Sequence, residues 1–203
     1  MTIQTLDFAA EYDARIVSGT TGEAQLHQFR WKRAQPVGGN LVLEIPRDSP
    51  LLVEVNPYNE KLWQGAFSEG LEGVSDLFAT PSPTTLCVVA RGQGYWVPVH
   101  NPADFVEVRC NPVKSVFAVP GRSIVVFASY TDLTAYGPSG VLWLTDRLSW
   151  DGLKITEVTT QHVRGLGWDS PANREVSFVV DVDTGGHEGG SSPEQYARAN
   201  IKG

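Results

Sequence analysis

The chain has 203 residues, of which 41% are hydrophobic and 19% charged, with 20 glycines and 13 prolines. So many turn-formers exclude a helical bundle, and their interleaving with six Trp, six Tyr and eight Phe excludes a wholly disordered chain. The formal net charge is −7 and the sixteen Lys and Arg are scattered, which argues against a nucleic-acid surface, where clustered cations must displace counterions.

The opening residues, Met1-Thr-Ile-Gln-Thr-Leu-Asp-Phe8, show neither the positive start nor the apolar stretch of a secretory signal. No apolar run reaches the length of a membrane span. The expectation is a cytoplasmic protein without membrane contact, in which Cys87 and Cys110 are reduced, buried thiols. Residues 5–16 admit a short helix, from the spacing of Leu6, Phe8, Ala9, Tyr12 and Ile16, or an irregular strand. Arg30-Trp-Lys-Arg33 is the densest basic group; it reads as a solvated edge strand guarded by charge, or as a contact for an acidic partner. Pro36-Val-Gly-Gly-Asn40 marks a turn before a strand at 41–45, and a strand at 51–55 follows closely enough to predict a hairpin between the two. Between 58 and 80, Gly65, Gly70 and Gly73 weaken any helix, and the expectation is a helical turn and loop covering one edge of the sheet.

After residue 80 apolar bursts alternate with turn signals. Strands are predicted at 86–90, 95–99, 105–109, 115–119, 124–129, 133–136, 141–145, 154–158 and 175–183. Ser192-Pro193-Glu194 has the form of a helix cap with proline at the first position, leading into a terminal helix through Asn200 or into a frayed tail. The fold class that results is all-β, mostly antiparallel and hairpin-rich, built as propeller-like blades or as packed sheets in a sandwich, with one or two short helices. A single β-rich domain over 1–203 is expected. It subdivides into N-terminal strands with a covering loop or helix (1–80), a blade-like region (81–190) and a polar tail (191–203).

Phe127-Ala-Ser-Tyr-Thr-Asp-Leu-Thr-Ala-Tyr-Gly-Pro-Ser-Gly-Val-Leu-Trp143 runs through a strand, a polar turn, a strand, a glycine turn and a strand with tryptophan. Val180-Asp-Val-Asp-Thr-Gly185 is similar to the strand-turn that ends such a unit, and Val116 and Val158 lie 42 positions apart, inside the roughly 40–50-residue period of propeller blades. Residues 113–190 thereby resemble blades of a β-propeller of the quinoprotein or WD-repeat kind. The resemblance implies antiparallel sheets and carries no activity with it. The chain departs from that pattern: no tryptophan-docking signature recurs, no His–Trp–Asp set repeats, and fewer blades fit than the four a closed ring needs.

Chemistry-bearing residues are sparse. Asp181-Val-Asp-Thr-Gly-Gly-His-Glu188 places two carboxylates before a glycine bend, as calcium loops do, but lacks the later bidentate glutamate, so no metal is expected. His27, His100, His162 and His187 share no ligand spacing, and no nucleophile elbow or phosphate loop occurs. Asp146-Arg147 and Trp150-Asp151 follow a Val-Leu-Trp-Leu strand, where a carboxylate and a guanidinium can orient a polar ligand with Trp143 or Trp150 as a stacking wall. The competing reading is a surface ion pair and an Asp-Gly turn. Tyr95 and Trp96 are adjacent and must face opposite ways, one into the core, which makes Trp96 a candidate anchor for a protein contact.

No catalytic motif is assembled and no cofactor fingerprint is present. The expectation is a non-enzymatic binding module for another protein or for itself. Acidity and size also fit a bacterial immunity-type protein that neutralises a basic toxin. The alternative is a hydrolase-like enzyme using carboxylates such as Asp146 or Asp151 in a sheet-end cleft. The enzyme requires acids converging in a pocket, and the binding module an exposed apolar patch.

Overall fold

In Leu51-Leu-Val-Glu-Val55 alternate side chains must face opposite sides of a strand. Val53 and Val55 are fully buried, while Glu54 meets Arg15 of the neighbouring strand. The computed structural model describes residues 2–22, 24–31, 33–37, 40–44 and 49–195, and these are all-β. They belong to two compact units, Met1–Val113 and Lys114–Gly203, each with its own core. Among the described residues no helix is long and apolar enough to cross a membrane.

The N-terminal unit contains β1 (Tyr12–Ile16), β2 (Gln25–Phe29), β3 (Arg33–Val37), β4 (Asn40–Glu44), β5 (Leu51–Pro57), β6 (Trp63–Phe67), β7 (Asp76–Ala79), β8 (Thr85–Ala90), β9 (Gln93–Pro98) and β10 (Val106–Glu107). One sheet has the order β1-β5-β6-β2, with β2 parallel to β6 and the other pairings antiparallel. A second is the antiparallel meander β7 to β10, and β3 pairs with β4. The core joins Tyr12, Phe29, Val53, Val55, Trp63 and Phe67 of the first sheet to Leu77, Leu86, Val88, Tyr95 and Val97 of the second. Two buried donors bridge the sheets: Tyr12 Oη to the Thr85 carbonyl at 2.8 Å, and Trp63 Nε1 to the Val99 carbonyl at 2.9 Å.

The C-terminal unit repeats the meander twice. The first comprises β11 (Ser115–Ala118), β12 (Val125–Ala128), β13 (Leu133–Gly137) and β14 (Gly140–Leu144). The second comprises β15 (Leu153–Val158), β16 (His162–Asp169), β17 (Arg174–Asp181) and β18 (His187–Gly189). Val126, Leu133, Ala135 and Trp143 pack with Val163, Phe178, Val180 and Val182. Trp143 Nε1 donates to the Val182 carbonyl at 2.7 Å, so an indole again ties one sheet to the next.

Several expectations change. The stretch 58–80 holds β6 and β7, not a covering helix or loop: β6 is buried on both faces, so it lacks the alternation that marks a half-exposed strand. Strand 51–55 does not pair with 41–45; β5 lies between β1 and β6, and β4 takes β3. The Arg15–Glu54 pair sits at register positions Arg15↔Glu54, a partner choice invisible to local spacing. Of the two readings of 5–16, the strand is the one observed, over Tyr12–Ile16. β18 is not among the predicted strands, and the predicted 105–109 strand shortens to Val106–Glu107. Pro102–Asp104 forms a 3-10 turn. Residues 193–195 begin a helical turn in which the Ser192 hydroxyl accepts from the Gln195 amide at 3.3 Å, as an N-cap does. The terminal helix expected through Asn200 lies outside the described residues.

Candidate functional site

The residues after β14 form a turn that uses its own polar groups. Arg147 donates through Nε to the Ser149 carbonyl at 3.1 Å and through a terminal nitrogen to the Trp150 carbonyl at 2.9 Å. Trp150 is half-buried, its indole N–H directed to the Ser191 hydroxyl at 3.1 Å. Asp146 is exposed. Asp151 is also exposed and lines a shallow cavity of about 260 Å³ with Lys154 and Glu175, to which Asp146 does not contribute. Trp143 offers no stacking wall, because its ring is buried in the core. Arg147 and Trp150 are thus brought together by the turn, whereas the two carboxylates do not converge. Trp96 lies in the N-terminal unit and is only 6% exposed: β8 beside it is buried along its whole length, so both faces of this sheet are covered and Trp96 cannot serve as an exposed anchor.

Asp181 caps a turn. Its Oδ1 accepts from the Thr184 hydroxyl at 2.7 Å, the Thr184 amide at 2.9 Å and the Asp183 amide at 3.1 Å, and these bonds, the hydroxyl first, hold its carboxyl below the ordinary value. Among the described residues no three His, Cys, Asp or Glu side chains are grouped to hold a metal ion.

Two features are the strongest candidates for recognition. The first is β14 itself, the terminal strand of its sheet. Val141, Leu142 and Leu144 are exposed along it, while Trp143 points inward. A bulge between Ala135 and Tyr136 interrupts its register with β13. Among the described residues no backbone hydrogen bond reaches Val141, Leu142 or Leu144 from beyond that pairing.

The second is a cleft of about 1050 Å³ in the N-terminal unit, which sequence reading missed. Its fixed element is Glu54, 9% exposed, whose Oε1 accepts from Arg15 at 2.6 and 2.8 Å and whose Oε2 accepts from Gln64 at 3.3 Å. Gln64, 1% exposed, takes the Thr21 amide on its oxygen at 2.9 Å. Elsewhere on the lining His100 Nδ1 lies 3.0 Å from Glu60, and His27 stands edge-on to Trp63 with centroids 5.5 Å apart. A glutamate between two valines, Val53-Glu54-Val55, was the available signal: a charge inside an apolar strand needs a partner.

Partial burial lowers the His27 pKa below its ordinary 6.5. Between the folded and unfolded values the unfolded chain binds more protons, so this contribution to stability is full above about pH 6.5 and declines as pH falls through the folded value. His27→Gln is expected to flatten that limb in urea unfolding between pH 7.5 and 5. A slope identical to wild type would contradict the assignment.

No family model matches the chain, and no curated protein matches it.

Proposed function

We propose that this protein is a binding module that takes an extended segment of another protein along the outer edge of β14. The observation that carries the reading is the concentration of apolar exposure there. Val141, Leu142 and Leu144 are three of the seven large hydrophobics left exposed among the described residues. Edge strands are ordinarily guarded by charge. In the same unit the edge strand β15 presents Lys154 and Glu157, whereas β14 has no charged residue. An added strand draws affinity from main-chain hydrogen bonds and selectivity from alternate side chains, which Leu142 and Leu144 would supply. Three half-exposed side chains fall far short of the roughly 800 Å² per partner that a stable dimer buries, which favours a short segment over a second copy of the chain. A net charge of −7 steers basic partners toward it, and an immunity-type role against a basic toxin is one instance of that class.

Two supporting features belong to the scaffold. The three meanders begin at Asp76, Ser115 and Leu153, 39 and then 38 residues apart, which favours reading them as blade-like sheets. Cys87 and Cys110 are buried outside any disulfide, and burial, with Cys110 nearby, pushes the Cys87 thiol up, consistent with a cytoplasmic setting.

The test is affinity capture from the source organism with wild type, Leu144→Lys and the distant exposed variant Leu71→Lys as baits. One defined protein should be recovered by wild type and by Leu71→Lys. Leu144→Lys should weaken its binding at least tenfold, about 1.4 kcal/mol, when calorimetry is repeated with the isolated partner. Equal recovery by all three baits, or turnover by the wild-type protein in an esterase and phosphatase screen, overturns the reading.

A further inference from the structure

The residues that end β14 say what kind of segment its edge accepts. The Thr145 amide donates to the Leu133 carbonyl at 2.9 Å, which makes these two a hydrogen-bonded pair of the β13–β14 ladder. Along antiparallel strands such pairs alternate with pairs that exchange no bonds, so Leu144, opposite Thr134, turns its own N–H and C=O away from β13. Leu144 is also 46% exposed. The edge therefore offers a peptide donor, a peptide acceptor and an apolar side chain together at this position. Toward the start of β14 the regular ladder is interrupted by the bulge between Ala135 and Tyr136. Docking is anchored at the Leu144 end.

Next on that side of the chain comes a carboxylate. Trp143 is buried and Thr145 half-buried, while Leu144 and Asp146 are both exposed, the pattern that period-two alternation gives. Asp146 makes no ion pair or side-chain hydrogen bond among the described residues. The neighbouring Arg147 is folded back on the Ser149 and Trp150 carbonyls and is held away from it. An unopposed negative charge thus stands two residues beyond the apolar contact. A segment lying along this edge sets the residue two positions from the one facing Leu144 against Asp146. Across paired strands opposite charges attract and like charges destabilise, each changing affinity by up to roughly fivefold.

We infer that β14 takes an extended segment in which Lys or Arg stands two residues from an apolar residue, the apolar one facing Leu144 and the basic one Asp146. The inference rests on the reading of β14 as a docking edge and adds the partner's charge and register to it. An acidic segment of equal hydrophobicity is rejected by the same carboxylate.

Fluorescence anisotropy on the full chain tests this with two labelled peptides, Lys-Thr-Val-Thr-Val-Thr-Lys and Glu-Thr-Val-Thr-Val-Thr-Glu, both capped at their ends. Each reads the same in either strand direction. Wild type should prefer the Lys peptide at least tenfold. Asp146→Lys should abolish or invert that preference. Glu175→Lys changes the net charge equally from an exposed position in another sheet, and should retain the preference within twofold. A preference that survives Asp146→Lys, or falls as far with Glu175→Lys, overturns the inference, because overall charge then makes the selection. Silence from both peptides overturns it as well. Equal binding of the two peptides that Leu144→Ser abolishes overturns the charge inference alone. Binding of the Lys peptide that Leu144→Ser leaves unweakened places the contact elsewhere and overturns the edge reading with it.

Discussion

Replacing Trp143 with alanine is expected to lower the stability of the C-terminal unit by about 3–5 kcal/mol, the range for truncating a buried aromatic. The indole is 7% exposed and belongs to the cluster formed with Leu133, Val163, Phe178 and Val182. Truncation opens a cavity between two sheets and also removes the donor that satisfies the Val182 carbonyl. Gly185 sits over the ring at a φ of +72°, where a β-carbon would lie 2.8 Å from the indole, so this backbone is fitted to the tryptophan and cannot easily collapse onto an alanine. Trp143→Phe retains most of the volume and loses the hydrogen bond; about 1–3 kcal/mol is expected for the unsatisfied carbonyl. Urea unfolding followed by near-UV circular dichroism measures both. A loss below 1 kcal/mol for Trp143→Ala would mean that the ring does not anchor β14. The phenylalanine variant separates stability from recognition: it leaves Leu142 and Leu144 outward, so a destabilised Trp143→Phe protein should still bind the partner proposed for that edge.

Where an apolar run is bounded by sharp punctuation, the architecture was legible. β8, β9, β12 and β13 are buried at nearly every residue and read as apolar runs between Gly, Pro and Asn-Pro signals, whereas β14, β15 and β17 keep an exposed face and show partial alternation. β6 and the body of β16 were not legible because polar and glycine residues interrupt them. Trp63-Gln-Gly-Ala-Phe67 carries Gln64 and Gly65 where an apolar run would continue, and the glycines at 165 and 167 break the alternation of β16. Pairing was harder still: nothing local says that β5 belongs between β1 and β6, since the reward is the remote contact of Arg15 with Glu54. Of the residues singled out for binding, Arg147 and Trp150 do meet, but as a turn that satisfies itself. The more telling residues, Leu142 and Leu144, read in sequence as ordinary strand interior; only sheet order reveals that their strand is an edge. The cleft draws Arg15, His27, Glu54 and His100 from four separate segments, a convergence no spacing rule contains.

Phe67→Ala is expected to cost the N-terminal unit a comparable 3–5 kcal/mol and to damage the cleft as well. Phe67 is fully buried and stacks on Phe29 with centroids 4.0 Å apart and planes within 9°, while Tyr95 meets it edge-on at 5.2 Å. Such pairs add about 0.5–1.5 kcal/mol beyond area burial. Gly65 makes the stack feasible: a β-carbon there would clash with the edges of both Phe67 and Phe29, so the strand carries glycine where the rings cross it. Phe29 in turn contacts Trp63 at 6.1 Å, and Trp63 braces His27, so the aromatic column runs from the core to the wall of the cleft. Loss of Phe67 should therefore be felt at His27, over and above the drop in unfolding free energy. The readout is the His27 imidazole resonance in a pH titration: with its support loosened and better hydrated, the ring should titrate closer to its ordinary value than in wild type. Phe67→Leu, which refills much of the volume, should recover more than half of the stability and most of the titration shift. An alanine variant that is strongly destabilised yet titrates His27 as wild type does would show that the column ends at the core, leaving the cleft wall held by sheet pairing alone.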